Sequence, residues 1–188
     1  MNTKEKILAA TEQLVFEKGV SELRLADIAS QVGISQAAIY KHYQNKSDIL
    51  AILAWSWLDE ILINVWNYSP HEGDSLDMIV HNWLWLLISC KYEAYKTNPE
   101  MFELYSNFIV SDPTLVAKHV NHASQNLCKI SGLRNLSDAK SLLLSVSSLE
   151  DPKLNAIIDN NLKKSFESLW LILKPGVAFL ERNNHYGN

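Results

Sequence analysis

The chain has 188 residues, 47% of them hydrophobic, with only six Gly and five Pro; that composition excludes a disordered chain and favours a helical globular protein with a real core. Its formal net charge of −4 is uneven, because residues 1–50 carry equal numbers of basic and acidic side chains and the remainder holds the whole excess of acid. The most apolar stretch, residues 79–88, is too short to span a bilayer and is interrupted by His81 and Asn82. Cys90 and Cys128 stand alone, without metal-type spacing, and read as reduced packing cysteines of a soluble, cytoplasmic protein.

In chain order, residues 3–18 are expected to form a first helix, with Ile7, Ala10 and Leu14 on one face and Leu8, Thr11 and Val15 beside it. Thr3 is the expected N-cap, half-made because Lys6 rather than Glu stands three residues on, and Gly19 the expected stop. This charged amphipathic start does not read as a secretory leader. Residues 25–43, LADIASQVGISQAAIYKHY, then read as two short helices joined by a tight turn. Gly33 suits a left-handed position ending the first, and Ser35 suits the N-cap of the second, accepting from the N–H of Ala37 or Ala38. Ile28, Val32, Ile34 and Ile39 would pin the pair, with small Ala29 allowing close approach. That is the sequence form of a helix-turn-helix, although an ordinary helical hairpin fits the same pattern. Two features favour DNA: residues 28–47 contain no Asp or Glu while holding Lys41, His42 and Lys46, and Gln36, Ala37, Ala38, Tyr40 and Lys41 sit on the first turns of the second helix.

Asn45 with Asp48 opens a fourth helix expected to run to about residue 68, placing Lys46 at its first position, beside free N–H groups that attract phosphate. Residues 69–73 (SPHEG) break it. Residues 75–97 form a helix that is apolar nearly all round and belongs inside a bundle. Three later helices share one grammar, a capping residue followed by Pro. Asn98-Pro99 starts one to about residue 110, Asp112-Pro113 one ending near residue 132, and Asp151-Pro152 the last, running to Lys174 before Pro175-Gly176. Residues 137–149 form a shorter helix between them. The count is nine helices in an all-α fold, and residues 177–188 read as a loosely docked tail.

The first fifty residues resemble the N-terminal domain of the tetracycline-repressor (TetR) family. Gly19, Leu25, Asp27-Ile28-Ala29, Val32-Gly33-Ile34-Ser35, Ile39-Tyr40, His42-Tyr43 and Asn45-Lys46 follow that pattern in order and spacing. The resemblance implies a homodimeric, ligand-responsive regulator of transcription. Residues 1–46 would be the helix-turn-helix head and residues 47–176 the ligand-binding and dimerisation domain. It implies base or sugar contacts from Gln36, Ala37, Ala38 and Lys41, and phosphate contacts from Tyr40, His42 and Lys46; Ser35 and Arg24 complete the set. Where Arg24 or Leu25 stands, the family usually has Ser or Thr; Arg24 could supply a charge-assisted phosphate contact or be simply solvated. Ala38 replaces a common Gly and Tyr43 a usual Phe, which leaves the operator sequence open.

The last helix carries Leu154, Ile158, Leu162, Phe166 and Leu169 at spacings of three or four. They fit either an intramolecular core stripe or, as the resemblance implies, a four-helix dimer interface; two heads roughly 34–36 Å apart would read a palindrome. In the body, Trp66, Trp83, Tyr92, Phe102, Tyr105, Phe108 and His119 are candidates for lining a site for an apolar or aromatic effector, against plain core filling. Asp77 with His81, and His119 with His122, lack further ligands at metal spacing. No phosphate loop, nucleophile elbow or Cys–His pairing supports an enzyme or a cofactor. Glu150 with Asp151 reads as an exposed helix start. The expected function is a repressor released from a palindromic operator by a small molecule; the rival is a ligand-binding dimer whose head no longer binds specific DNA.

Overall fold

The computed structural model describes residues 1–151, 154 and 161–185, with side chains of the last helix to residue 182. Among the described residues there are ten α-helices and no strand: α1 (Thr3–Glu22), α2 (Leu25–Val32), α3 (Gln36–Ile39), α4 (Lys46–Ile61), α5 (Ile63–Trp66), α6 (Leu76–Thr97), α7 (Pro99–Tyr105), α8 (Pro113–Ser131), α9 (Leu136–Val146) and α10 (Leu162–His185). A π-helical turn, Ser106–Val110, extends α7, and a 3₁₀ turn, Ser147–Glu150, extends α9. The chain divides into two compact units. The first is Met1–Glu60 with Ala94–Val116; the second is Ile61–Glu93 with Ala117–Asn188.

In the first unit α1 is capped one residue earlier than its sequence suggests. The Asn2 Oδ1 accepts from the Glu5 N–H at 3.0 Å while the Asn2 N–H donates to Glu5 Oε2 at 2.9 Å. Glu5, three residues after Asn2, completes a box that Thr3 cannot make with Lys6. The expected stripe is buried at Ile7, Ala10, Thr11, Leu14 and Val15, and the Thr11 hydroxyl is satisfied by the Ile7 carbonyl at 2.7 Å. Gly19 interrupts the helix with φ 77° rather than ending it, and one more turn follows to Glu22. Below this stripe lie Leu23, Ile28, Ala29, Ile39, Tyr43, Ile49, Leu50, Leu53 and Ala54, while Val32 and Ile34 are half-buried. Helix α7 packs on α1 and buries Met101, Leu104 and Tyr105. The indole of Trp57 on α4 meets Phe102 edge-on at 6.4 Å and Tyr105 at 6.2 Å.

The second unit is built on α6, which buries Val80, Trp83, Leu84, Leu87 and Ile88 as its apolar run requires. Leu62 breaks the fourth helix earlier than expected, so the continuation to Trp66 is the separate α5. The Asn–Pro and Asp–Pro starts of α7 and α8 form as read. Asn98 Oδ1 accepts from Met101 N–H at 3.4 Å, and Asp112 Oδ1 accepts from Thr114 N–H at 2.8 Å. The third such start, Asp151-Pro152, and Ile158 lie outside the described residues.

The expected stop at Pro175-Gly176 is overridden. Helix α10 continues to His185, and residues 177–182 are part of it rather than a loose tail. Proline removes one N–H and crowds the preceding turn, but tertiary contacts outweigh that cost. Val177 is buried, Lys174 pairs with Asp77 at 3.0 Å, and the Glu181 carboxylate accepts from the Leu76 N–H at 3.2 Å, capping the start of α6.

Candidate nucleic-acid interface

The turn between α2 and α3 forms as the residue types dictate. Gly33 takes φ 74°, ψ 34°, and the Ile34 N–H donates back to the Ala29 carbonyl at 3.0 Å, closing α2. Ser35 Oγ then accepts from the Ala38 N–H at 3.2 Å and opens α3. The α-helical part of α3 is only Gln36–Ile39; the chain winds on through Lys41, whose N–H reaches the Ala38 carbonyl at 3.3 Å, to Tyr43.

Two buried side chains fix this segment to the head. Ile39 points into the core, and Tyr43, 2% exposed, donates its hydroxyl to the Lys4 carbonyl at 3.1 Å, tying the end of the segment to α1. Burial, with Asp48 nearby, pushes the Tyr43 phenol up to about 12, so it remains a donor at any physiological pH. With Ile39 and Tyr43 inward, Gln36, Ala37, Tyr40, Lys41 and His42 are all exposed and Ala38 is half-exposed; Tyr40 stands 54% exposed. One end of the interface is therefore a single helical turn of small and polar groups followed by an aromatic and two bases.

Arg24 is exposed just before α2, and its N–H donates to Asp27 Oδ2 at 3.1 Å. That bond, then the Lys18 ammonium at 3.3 Å, holds the Asp27 carboxyl below the usual carboxylate range. Lys46 is placed differently from the other candidates. It is half-buried, and its ammonium donates to the carbonyls of Val20 (3.3 Å) and Leu23, at the end of α1. Two of its three N–H donors thus stitch α4 to the α1–α2 corner. Asn45 Oδ1 accepts from the Asp48 N–H at 2.8 Å as expected, but Asp48 turns to the Gln44 N–H at 3.0 Å rather than to Asn45.

The candidate effector residues fall into two sets. Phe102, Tyr105 and Phe108 lie in the first unit, where Phe102 and Tyr105 belong to the ring cluster on Trp57. Trp66, Trp83, Tyr92 and His119 lie in the second. There Trp83 is fully buried and donates to Asn126 Oδ1 at 2.8 Å. The Trp66 ring stacks at a tilt on His122, 4.6 Å between centroids, and edges onto His119 at 6.3 Å. His119 is buried, and its Nε2 lies 3.2 Å from the ammonium of Lys91. Burial first, then the Lys91 charge and His122, push the imidazole down to about 2, so it is neutral.

Lys91 itself escaped the sequence reading. It is 2% exposed and paired with Glu150 Oε2 at 2.6 Å. The signal was present: Lys91 continues the buried series Leu84, Leu87 and Ile88 at helical spacing.

Of the expected dimer residues, Phe166 is 0% exposed and Leu162 is buried in the unit's own core, so neither has surface to offer a second copy. Phe166 lies against Trp85 (5.4 Å), His81 (5.1 Å) and Trp170. Leu169 is half-buried, while Leu154 is exposed. The apolar face that α10 leaves open is another one, with Leu171 and Ile172 at 73% and 75% exposed and Phe179 further along. Leu144 on α9, a helix that contacts α10, is exposed too. Both pairs considered for metal are engaged elsewhere: Asp77 pairs with Lys174 and His81 with Glu167 at 3.1 Å, while His119 faces Lys91 and His122 stacks on Trp66. No group of three or more metal-ligating side chains occurs among the described residues, and no described helix is long and apolar enough to cross a membrane.

Residues 7–53 match the family of "Bacterial regulatory proteins, tetR family". The HTH-type transcriptional repressor BepR of Brucella suis is 45% identical over 47 residues, 25% of this chain and 22% of that protein. The regulator TtgR of Pseudomonas putida is 37% identical over 51 residues, 27% of this chain and 24% of TtgR. The likeness thus spans about a quarter of these curated relatives. Over nearly the whole length the fold is similar to a TetR-family transcriptional regulator from Streptomyces coelicolor. That match has a TM-score of 0.64 and 17% identity, and covers 95% of this chain and 99% of that one.

Proposed function

We propose that this chain is a regulator of the TetR family, as the match of residues 7–53 and the likeness of the fold support, and that it is a homodimeric repressor whose operator binding is relieved by a small molecule. The observation that carries the reading is the acid-free stretch of residues 28–47, anchored by Ile39 and Tyr43, which leaves Gln36, Ala37, Ala38, Tyr40, Lys41 and His42 outward. Gln36 and Lys41 are suited to base edges and Ala37 to a thymine methyl, while Tyr40, His42, Ser35 and Arg24 are suited to phosphates that set the register. Lys46 acts mainly by holding the corner against which that segment rests, with one donor left for a phosphate.

Two copies joined through the open face of α10, with Leu171, Ile172 and Phe179, and through Leu144 of α9, would present two heads to a palindrome. Effector binds in the second unit, near Trp66, Trp83, Tyr92 and His119. It favours a body conformation in which the heads no longer match the half-sites, so DNA and effector weaken each other by the same factor. The repressor sign is taken from BepR, a transcriptional repressor.

The test is anisotropy binding of the full chain to DNA flanking its own gene, over several salt concentrations and against scrambled competitor. Tight, competitor-resistant binding with two protomers per site is the expected result. Binding no better than to scrambled DNA at every flank would shift the function to a ligand-binding dimer with a silent head.

A further inference from the structure

We propose that Lys4, in the first turn of α1, is a further DNA-binding residue: its ammonium takes a backbone phosphate next to the one that His42 meets, and so extends the interface from the α3 segment onto α1. The inference rests on the reading of the head as a binder of double-stranded DNA. It adds a residue that lies ahead of the matched stretch 7–53.

Tyr43 sets the placement. It ends the segment that bears Tyr40, Lys41 and His42, and at 2% exposed it serves the core rather than a ligand. Its hydroxyl donates to the Lys4 carbonyl at 3.1 Å, and the Lys4 ammonium stands over its ring, 5.3 Å from the centroid. The residue that holds Lys4 therefore follows exposed His42 directly and exposed Lys41 by two places. Successive phosphates of one strand are spaced about 3.4 Å along the duplex axis. An ammonium on a flexible four-carbon stem beside His42 is thus within reach of the neighbouring phosphate.

The ammonium is also open to an anion. Lys4 is exposed, and among the described residues no oxygen accepts from its Nζ. The Tyr43 ring attracts the charge through its face without occupying an N–H on an oxygen, and it narrows the rotamers of a side chain that would otherwise roam. The two acids close by are engaged. Glu5 accepts from the Asn2 backbone N–H at 2.9 Å and from the Asn2 side-chain amide at 2.8 Å, while half-buried Asp48 accepts from the Gln44 N–H at 3.0 Å. The Asn2–Glu5 box closes the end of α1, so the ammonium and not a free helix end would hold the phosphate. Lys6 is exposed as well, but residues two apart do not share a helix face, so it points away from the side that Tyr43 holds.

That difference supplies the control. The probe is a mixed-sequence duplex of about 30 bp, bound by the full chain and read by anisotropy from about 50 to 200 mM KCl; any duplex carries the phosphates, so no operator is required. Lys4→Ala should weaken binding several-fold and make the plot of log K against log salt shallower by about 0.9 for every head bound. Lys4→Arg should keep both near the unaltered chain. Lys6→Ala, which removes the same charge from the same helix, should leave the slope as it is. Tm of Lys4→Ala should hardly move, because Tyr43 bonds to the backbone carbonyl of residue 4, which the substitution retains. An unchanged slope for Lys4→Ala, or an equal loss for Lys6→Ala, would overturn the proposal and leave the regulator reading standing. Absence of salt-dependent binding by the unaltered chain would overturn both.

Discussion

Replacing His119 by Gln should flatten the pH dependence of stability on the acid side. The imidazole is held neutral, its pKa pushed from 6.5 to about 2 by burial, by the Lys91 charge and by His122. Because the folded-state value is depressed, the stabilising contribution is complete above pH 6.5. It is lost as pH falls below that, where the unfolded chain takes up a proton that the folded chain refuses. At about 1.4 kcal/mol per pH unit, the native protein should lose about 2 kcal/mol between pH 7.5 and 5 from this group. Gln cannot take up that proton, and its amide oxygen can still accept from Lys91.

Urea unfolding of both proteins at fixed protein concentration, in steps from pH 7.5 to 5, reads the difference directly. The variant starts lower and the two stabilities converge by about 2 kcal/mol at pH 5. Asp27, Asp77 and Glu167, whose carboxyls the fold lowers, stay largely ionised throughout this window and do not confuse it. Parallel curves would refute the reasoning, since they would mean that His119 is free to protonate in the folded state.

Gly33→Ala puts a Cβ into open space but at φ 74°, so it should cost about 1 kcal/mol of backbone strain and lower the Tm without creating a clash. Lys46→Met should destabilise the head by about 1.5 kcal/mol in urea unfolding through loss of its bonds to the Val20 and Leu23 carbonyls, whereas an exposed lysine there would cost almost nothing. Lys41→Ala should leave Tm unchanged, weaken DNA binding across sequences and make the salt slope shallower by about one. Leu171→Glu with Ile172→Glu should yield a folded monomer by sedimentation. The four side chains of two protomers, about three-quarters exposed each, would otherwise contribute roughly 4–9 kcal/mol to a dimer that buries them. An intact dimer would assign the interface to another face.

Local chemistry was the legible part. The cap at Ser35, the left-handed Gly33, and the Asn98-Pro99 and Asp112-Pro113 starts act within four residues, and each formed as its residue types require. What a stripe faces was harder. Leu162 and Phe166 have the period of an interface and of a core alike, and only tertiary packing decides for the core, as His81, Trp85 and Trp170 do around Phe166. The run of α10 through Pro175 was illegible for the same reason, since Asp77 and Leu76, far off in sequence, hold the helix past its breaker. Lys91 was hidden by expectation, as a lysine amid leucines is usually read as a solvated edge, and partners as remote in sequence as residues 119 and 150 hold it.

The discontinuous first unit has a consequence for how the protein is made. Residues 1–60 leave the ribosome first, yet part of their packing, α7 against α1 and the Phe102 and Tyr105 rings on Trp57, is not synthesised until the chain has passed residue 105. At about 5–20 residues per second, the nascent head waits seconds with Trp57 and one side of α1 uncovered. A pause in translation, or a ribosome stalled between residues 60 and 94, would lengthen the life of a half-closed, sticky fragment. The order of synthesis thus ties how long this apolar surface stays open to the rate at which residues 61–105 are made.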